Sequence, residues 1–344
     1  MSDIKKVAEL ANVSIGTVSN AFKRPDKVSP ATRERILKVS RELNYFPNQL
    51  ASALVTSQTK ILGLMVSYSF SANRGKAIIE FSRRAAEYGY IVMLATVNMK
   101  LEEEEEAISR FLQYRVDGVV IYGDYSETMT QHFKKLQQNN VPFIAVKRYD
   151  ESYNNINVEA DDAISEMVDQ LQRFGHSQIC AIVGNFLHED GSLGVRAKRF
   201  ETFKRVLRER GIQFTDDDLI IVEKDSKECG IEAIDKILAE RRGNMPTALF
   251  CMYDHIAIGA MTRLMQRGYR IPRDISVVGY GNYEVAEYSV VSLSTVDTRE
   301  TEILQQALSM LMEHIDNPEL ATESKVIQHR FILRDSIGFA PNTN

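Results

Sequence analysis

From residue 61 onward the chain alternates short Val/Ile/Leu-rich runs with amphipathic stretches of helical period. This alternation limits the fold more than any other feature, because it is the pattern of parallel sheets wrapped by helices, the α/β class. It predicts strands at Ile61 to Val66, Ile91 to Ala95, Gly118 to Ile121, Phe143 to Val146, Ile179 to Val183, Leu219 to Val222, Ala248 to Cys251 and Ile275 to Val278. Eight consecutive strands exceed one comfortable half, so the pattern reads as two doubly wound parallel-sheet halves facing a cleft. In this topology ligands bind at the carboxyl ends of the strands. The loops after those ends carry Asn73 and Arg74, Asp124, Lys147 and Arg148, Asp190, Tyr253 and Asp254, and Asn282, with Arg196 opening a helix.

The first sixty residues are a different body. They hold ten Lys or Arg against five Asp or Glu, a net of +5 in a chain of net -5, which leaves -10 for the rest. A basic module on an acidic one is the electrostatic footprint of a nucleic-acid binder. Asp3 can cap a helix with Ile4, Val7, Ala8 and Leu10 on one face; Asn12 and Val13 break it. Ser14 can cap a second helix from Ile15 to about Phe22, with Val18 and Ala21 inward, and Ser29-Pro30 opens a third through about Leu43. That is a helix-turn-helix with its third helix. The start of the second helix then lies in the major groove: Ile15, Gly16 and Asn20 reach base edges, while Ser14, Thr17 and Ser19 suit phosphates or caps. A three-helix bundle for protein contact is the competing reading. Asn48 to Val55 reads as a short hinge helix with Asn48 as its cap and Leu54 as an apolar wedge for the minor groove, or as a plain linker.

The run Ile4-Lys5-Lys6-Val7-Ala8-Glu9-Leu10-Ala11-Asn12-Val13-Ser14, Thr17-Val18-Ser19, and Asn44-Tyr45-Phe46-Pro47-Asn48 with Ala51 and Leu54 resembles the head and hinge of the lactose and galactose repressor (LacI/GalR) family. Further matches include Val116-Asp117-Gly118-Val119, Gly175-His176, Pro246-Thr247-Ala248-Leu249-Phe250, Ile275-Ser276-Val277-Val278-Gly279-Tyr280 and Arg334-Asp335-Ser336. The resemblance implies a homodimeric regulator with a periplasmic-binding-protein-like body, a small effector in its cleft and a roughly palindromic DNA operator. It gives residues 1–46 as head, 47–59 as hinge and 60–344 as body, the halves being about 60–157 with 291–320 and about 158–290 with 321–340. It implies repression of a carbohydrate-uptake or catabolic operon; the alternative is a body that binds a signalling protein. Ala51 joins the DNA-contacting set, and Lys23 stands there where Asn is common. Arg196 and Asp254 match pocket positions.

Several residues depart from that pattern. Gly279-Tyr280-Gly281-Asn282 lacks the usual Asp, Lys147-Arg148 stands where Asp-Arg is usual, and Asp190 lies where Arg is found. These changes suggest an anionic sugar derivative as effector, held by Arg74, Lys147, Arg148 or Arg196.

The three cysteines, Cys180, Cys229 and Cys251, form no Cys-x-x-Cys pair, so neither a disulfide framework nor a zinc site is expected. Met1 to Lys6 lacks the apolar run of a signal peptide and no stretch approaches a membrane span, which predicts a cytoplasmic protein without membrane contact. Glu102 to Glu106 reads as the solvated first turn of a helix, and His188-Glu189-Asp190 lacks a second His or Cys at ligand spacing. No P-loop, Gly-x-Ser-x-Gly or Gly-x-Gly-x-x-Gly run is present, so no enzyme and no cofactor are expected.

Overall fold

The computed structural model describes residues 4–47, 58–67, 72–98, 100–123, 130–147, 152–184, 195–241 and 245–341. Met1–Thr59 and Lys60–Asn344 form separate compact units.

The small unit holds α1 (Ile4–Leu10), α2 (Ile15–Lys23) and α3 (Pro30–Glu42). Ser14 caps α2 by accepting from the Thr17 amide at 3.1 Å, and Ser29 caps α3 by accepting from the Thr32 amide at 3.3 Å. Asn12 takes a left-handed φ of 50°, which ends α1 and lets the Val13 amide donate back to the Ala8 carbonyl. The core is Val7, Ala8, Ala11, Val18, Ala21 and Ile36. Leu10, expected inside, is 58% exposed and Ala11 takes the buried place, since the position one turn beyond Val7 and Ala8 is residue 11.

In the large unit β1 (Ile61–Ser67), β2 (Ile91–Val97), β3 (Gly118–Tyr122), β4 (Phe143–Val146), β5 (Asn155–Glu159) and β11 (Ser324–Gln328) form one parallel sheet, ordered β11-β5-β4-β3-β1-β2. A second sheet, ordered β12-β10-β9-β8-β6-β7, holds β6 (Ile179–Gly184), β7 (Leu219–Val222), β8 (Ala248–Cys251), β9 (Ser276–Gly281), β10 (Ser294–Asp297) and β12 (Arg330–Ile332). Among the described strands only β12 runs antiparallel, against β10. Side chains alternate between two apolar clusters: Val120 and Tyr122 point to one face of the first sheet, Val119 and Ile121 to the other. Both faces are therefore covered, which is why these strands read as unbroken apolar runs.

Helices α4 (Ala72–Glu87), α5 (Leu101–Gln113), α6 (Thr130–Gln138) and α12 (Glu300–Asp316) belong with the first sheet. Helices α7 (Asp161–Arg173), α8 (Val195–Glu209), α9 (Lys227–Glu240), α10 (Asp254–Gln266) and α11 (Glu284–Tyr288) belong with the second. In α5 the acidic run is only partly solvated: Glu104 is 2% exposed, while Glu103 accepts from the Asn98 amide.

The halves exchange chain later than the sequence suggests. Residues 291–320 were expected in the first half and 321–340 in the second, yet β10 lies beside β9 in the second sheet and β11 beside β5 in the first. The polar composition of Ser294–Asp297 and Ser324–Gln328 hides them as strands; their partners reveal the pairing. Ser294 is fully buried and its amide donates to Ser336 Oγ, whereas the Asn155 amide donates to the Glu323 carbonyl. Three crossovers result, and they are laced together. The His329 amide donates to the Glu159 carbonyl at 2.7 Å, Gln328 Nε2 to Glu159 Oε2 at 2.7 Å, and Arg299 Nη1 to the Gln328 carbonyl at 3.2 Å.

Candidate functional site

On the small unit the first turn of α2 faces outward. Ser14, Ile15, Gly16 and Lys23 are exposed, while Thr17, Ser19 and Asn20 are half-buried around the inward Val18. An isoleucine 45% exposed beside a glycine is a poor surface for water and a good one for a groove floor. A Cβ at Gly16 would meet only Ser14 Oγ, at 3.7 Å, so packing does not require glycine there. Arg33 and Arg35 brace the unit by donating to the Ala21 and Ala11 carbonyls. The expected hinge contacts Asn48, Ala51 and Leu54 lie outside the described residues.

The first half of the body builds a buried charge cluster at its strand ends. Glu300, first residue of α12, is met by Lys147 Nζ at 3.3 Å and by Arg74 Nε at 3.7 Å. Both cations lie over the Tyr122 ring, at 5.0 and 5.1 Å from its centroid. Arg74 Nη1 also donates to the Ser67 carbonyl. Burial raises the Glu300 pKa, with Arg74 opposing the shift. Lys147 adopts φ 64°, a left-handed conformation uncommon for a side-chain-bearing residue, which turns the ammonium toward the acid. Arg74 and Lys147 were expected to greet an anionic ligand; here each is engaged with Glu300.

The second half presents Tyr253, Asp254 and Asn282. Asp254 is fully buried, accepting from Thr295 Oγ1 and from the Tyr283 amide, both at 2.6 Å. Burial lifts its pKa to about 6 against those hydrogen bonds. Its oxygens are taken up in joining β10 and α11 to the start of α10, so the carboxylate serves the scaffold rather than a ligand. Tyr283 packs against His255 with ring centroids 4.8 Å apart and planes tilted by 44°, and is 8% exposed. The missing Asp in the Gly-Tyr-Gly-Asn segment has a physical counterpart: Gly281 has φ 130°, and a Cβ there would lie 2.6 Å from the Tyr283 ring. Asn282 accepts from Arg334 at its side-chain oxygen. Its carbonyl and that of Gly281 accept from Asn73 Nδ2 at 2.7 and 2.8 Å. Asn73 opens α4 in the first half, so this amide bridges the two halves.

Asp124, Arg148 and Asp190 lie outside the described residues, and Arg196 is placed only as a backbone position in the first turn of α8. One turn further along that helix sits Arg199, which the sequence reading missed. Its guanidinium lies 4.7 Å from the Tyr280 ring centroid. His329 and Glu300 were missed as well. The i, i+3 spacing of Arg196 and Arg199 was visible, but Glu300 and His329 follow the two strands that were not foreseen.

His176, read as structural, is 1% exposed and bonds Thr247, Ser276 and the Gly338 carbonyl. Among the described residues no group of three His, Cys, Asp or Glu could hold a metal ion, and no helix is long and apolar enough to cross a membrane.

The sequence profile described as bacterial regulatory proteins, lacI family, matches residues 3–48, and that of a periplasmic binding protein-like domain matches residues 168–337. The HTH-type transcriptional repressor PurR of Vibrio atlanticus (strain LGP32) is 31% identical over 328 residues, covering 93% of each chain. The chain belongs to the LacI family. The PurR of Vibrio vulnificus (strain CMCP6) is 29% identical over 347 residues, 98% of this chain and 99% of that one. Among solved structures of LacI-family proteins, the lac repressor bound to ONPG in the repressed state has a TM-score of 0.82 at 25% identity, covering 97% of this chain and 99% of the other. The lac repressor dimer bound to operator and the anti-inducer ONPF shares the fold, with a TM-score of 0.82 at 24% identity over 97% and 98% of the chains. This LacI-family protein is thus a DNA-binding transcriptional repressor with an α/β body of two parallel-sheet halves.

Proposed function

We propose that this repressor acts as a homodimer on a roughly palindromic operator of a carbohydrate-uptake or catabolic operon, and that a small effector in the cleft changes its affinity for DNA. The observation that carries the effector reading is the Asn73 bridge. A single side-chain amide joins the strand ends of both halves, so a ligand entering there competes with a contact that sets their separation. Homodimer formation is supported by an apolar stripe on α4 and the edge strand β2, where Ile79 is 72%, Ile91 62% and Leu94 47% exposed.

The chemistry of the cleft favours a polyhydroxylated effector over a strongly anionic one. Glu300 draws on both Arg74 and Lys147, so the positive charge at these strand ends is met by the protein's own acid rather than offered to an anion. The related solved structures include a transcriptional regulator CelR-cellobiose complex, in keeping with a sugar ligand. Residues 47–59 act as the hinge, with Leu54 wedged in the minor groove, and α2 reads each half-site through Ile15, Gly16 and Asn20. The protein works in the cytoplasm, where its DNA is.

Fluorescence anisotropy on the DNA upstream of its own gene, with neutral sugars, sugar phosphates, sugar acids and nucleosides added in turn, tests the proposal. Release or tightening by a neutral sugar supports it. DNA binding that no compound perturbs overturns the effector reading and makes a protein partner the controlling input.

A further inference from the structure

The chain coming from the basic head reaches the body at Lys60, the residue before β1, at the opposite end of that strand from the Asn73 bridge. Lys60 is held there through its amide, its carbonyl and its side chain. The amide donates to Asp117 Oδ2 at 3.0 Å and the carbonyl accepts from the Ile91 amide at 3.0 Å. Its Nζ donates to the Tyr90 hydroxyl at 3.3 Å and lies 4.3 Å from the centroid of the same ring.

The framework behind these contacts is itself tied together. Ile61 pairs with Ile91 and Leu62 with Gly118, so the starts of β1, β2 and β3 lie side by side, and the Asp117 amide donates to the Ile61 carbonyl at 2.8 Å. Tyr90 is 2% exposed; burial, followed by the Asp117 and Asp316 carboxylates, pushes its hydroxyl up to about 12, which keeps it a neutral phenol at ordinary pH. Lys60 has φ 58°, in the left-handed region that a residue with a side chain enters only when its surroundings impose it. A slack attachment needs none of this, since extended residues would join the two units without conformational cost.

We propose that Lys60, Asp117 and Tyr90 are positioning residues for operator binding: without touching DNA, they fix the direction in which the chain leaves the body, so that a dimer presents its two heads at one half-site spacing. The inference rests on the homodimer and palindrome reading. Once one head is bound, the other binds at an effective concentration set by the stiffness of its tether. A fixed exit concentrates the second head at one spacing, and a loose exit spreads it over several.

The test is fluorescence anisotropy of the full chain on a duplex selected for tight binding, and on the same duplex with one or two base pairs inserted between the half-sites. Each inserted pair turns one half-site by about 35° about the helix axis. The wild type should lose at least about tenfold in affinity on the first insertion. Lys60→Gly adopts this φ and many others freely and has no ammonium. It should bind the parent duplex about tenfold more weakly, yet lose only about twofold on insertion. Lys60→Arg keeps a cation over Tyr90 and should keep the wild-type ratio between spacings. A purely structural role predicts instead one common loss at every spacing, together with lower stability in urea. That result, an unchanged ratio in Lys60→Gly, or equal loosening in Lys60→Arg overturns the proposal. A wild type that binds a single half-site as tightly as the pair refutes the homodimer and palindrome reading, and this inference falls with it.

Discussion

Replacing Gly16 with Ala separates what the fold needs from what DNA needs. The added methyl meets nothing nearer than Ser14 Oγ at 3.7 Å, an ordinary contact, so no packing is lost. Glycine inside a helix is worse than alanine by about 0.5–1 kcal/mol, and Gly16 sits in the first turn of α2, where the lower end, about 0.5 kcal/mol, applies. Gly16→Ala therefore stabilises the small unit slightly, by roughly a factor of two in its opening equilibrium, readable as slower hydrogen exchange at the Val18 and Ala21 amides. The same methyl projects from the face that the proposed function sets against the groove floor. Specific affinity for a duplex selected for tight binding falls by about tenfold, or about 1.4 kcal/mol, comparable with one wrong base pair. The slope of log affinity against log salt stays constant, because no phosphate contact is removed. Anisotropy titrations across a salt series read both quantities. Retained specific affinity refutes the placement of Gly16 against the bases, and a destabilised α2 refutes the packing argument.

Three further changes probe the body. Asn73→Ala removes two bridging hydrogen bonds, about 1 kcal/mol each, and should increase the effector-free radius of gyration by X-ray scattering; unchanged scattering would show that the bridge does not hold the halves. Lys147→Met leaves Glu300 buried beside Arg74 alone and should lower stability in urea by about 3 kcal/mol, much of it recovered in the Lys147→Met, Glu300→Gln double variant; equal stability of the single and double variants contradicts a coupled cluster. His329 stays neutral in the folded protein until pH falls to about 2, while an unfolded histidine takes up a proton near 6.5. The unfolded state therefore gains protons first as pH drops, and stability declines below about pH 6.5. Between pH 7 and 5 this amounts to about 2 kcal/mol, absent in His329→Gln. Asp254, whose raised pKa acts with the opposite sign, is common to both proteins and cancels in the comparison; parallel pH profiles would rule the histidine out.

What could be read from the sequence followed the strength of each residue's local preference. Ser14 and Ser29 announce their helices because capping is decided within three residues, and Leu62, Leu64 and Val66 announce a buried strand because both faces are apolar. β5, β10, β11 and β12 were not seen, and all belong to the segments through which the chain changes halves. Asn155, Ser294 and Thr295 are fully buried there; Asn155 bonds its neighbours Tyr153 and Asn157, but Ser324, 169 residues away, also donates to it, and the Asn282 amide donates to Thr295 from 13 residues away, distances that no local pattern encodes. The same gap hid Glu300. Lys147 and Arg74 look like two open cations in the sequence; the acid that occupies them arrives from a helix 153 residues after Lys147 and further still from Arg74. Asp254 misled for the reverse reason, since a carboxylate at a strand end resembles a ligand group until Thr295 and the Tyr283 amide are placed on it.

The late exchange of strands also bears on how the protein is made. β11 completes the edge of the first sheet and β12 that of the second, and they are separated by His329 alone. During synthesis the basic head emerges with its own core some three hundred residues before either half of the body can close. A chain interrupted near residue 320 would carry a folded DNA-reading unit on two unfinished sheets, each with an open edge ready to pair with another chain. Such a fragment is marked for aggregation or degradation by both halves at once. The last two strands thus act as a check on completeness: the capacity to respond to a ligand and the capacity to persist in the cell are finished by the same few residues.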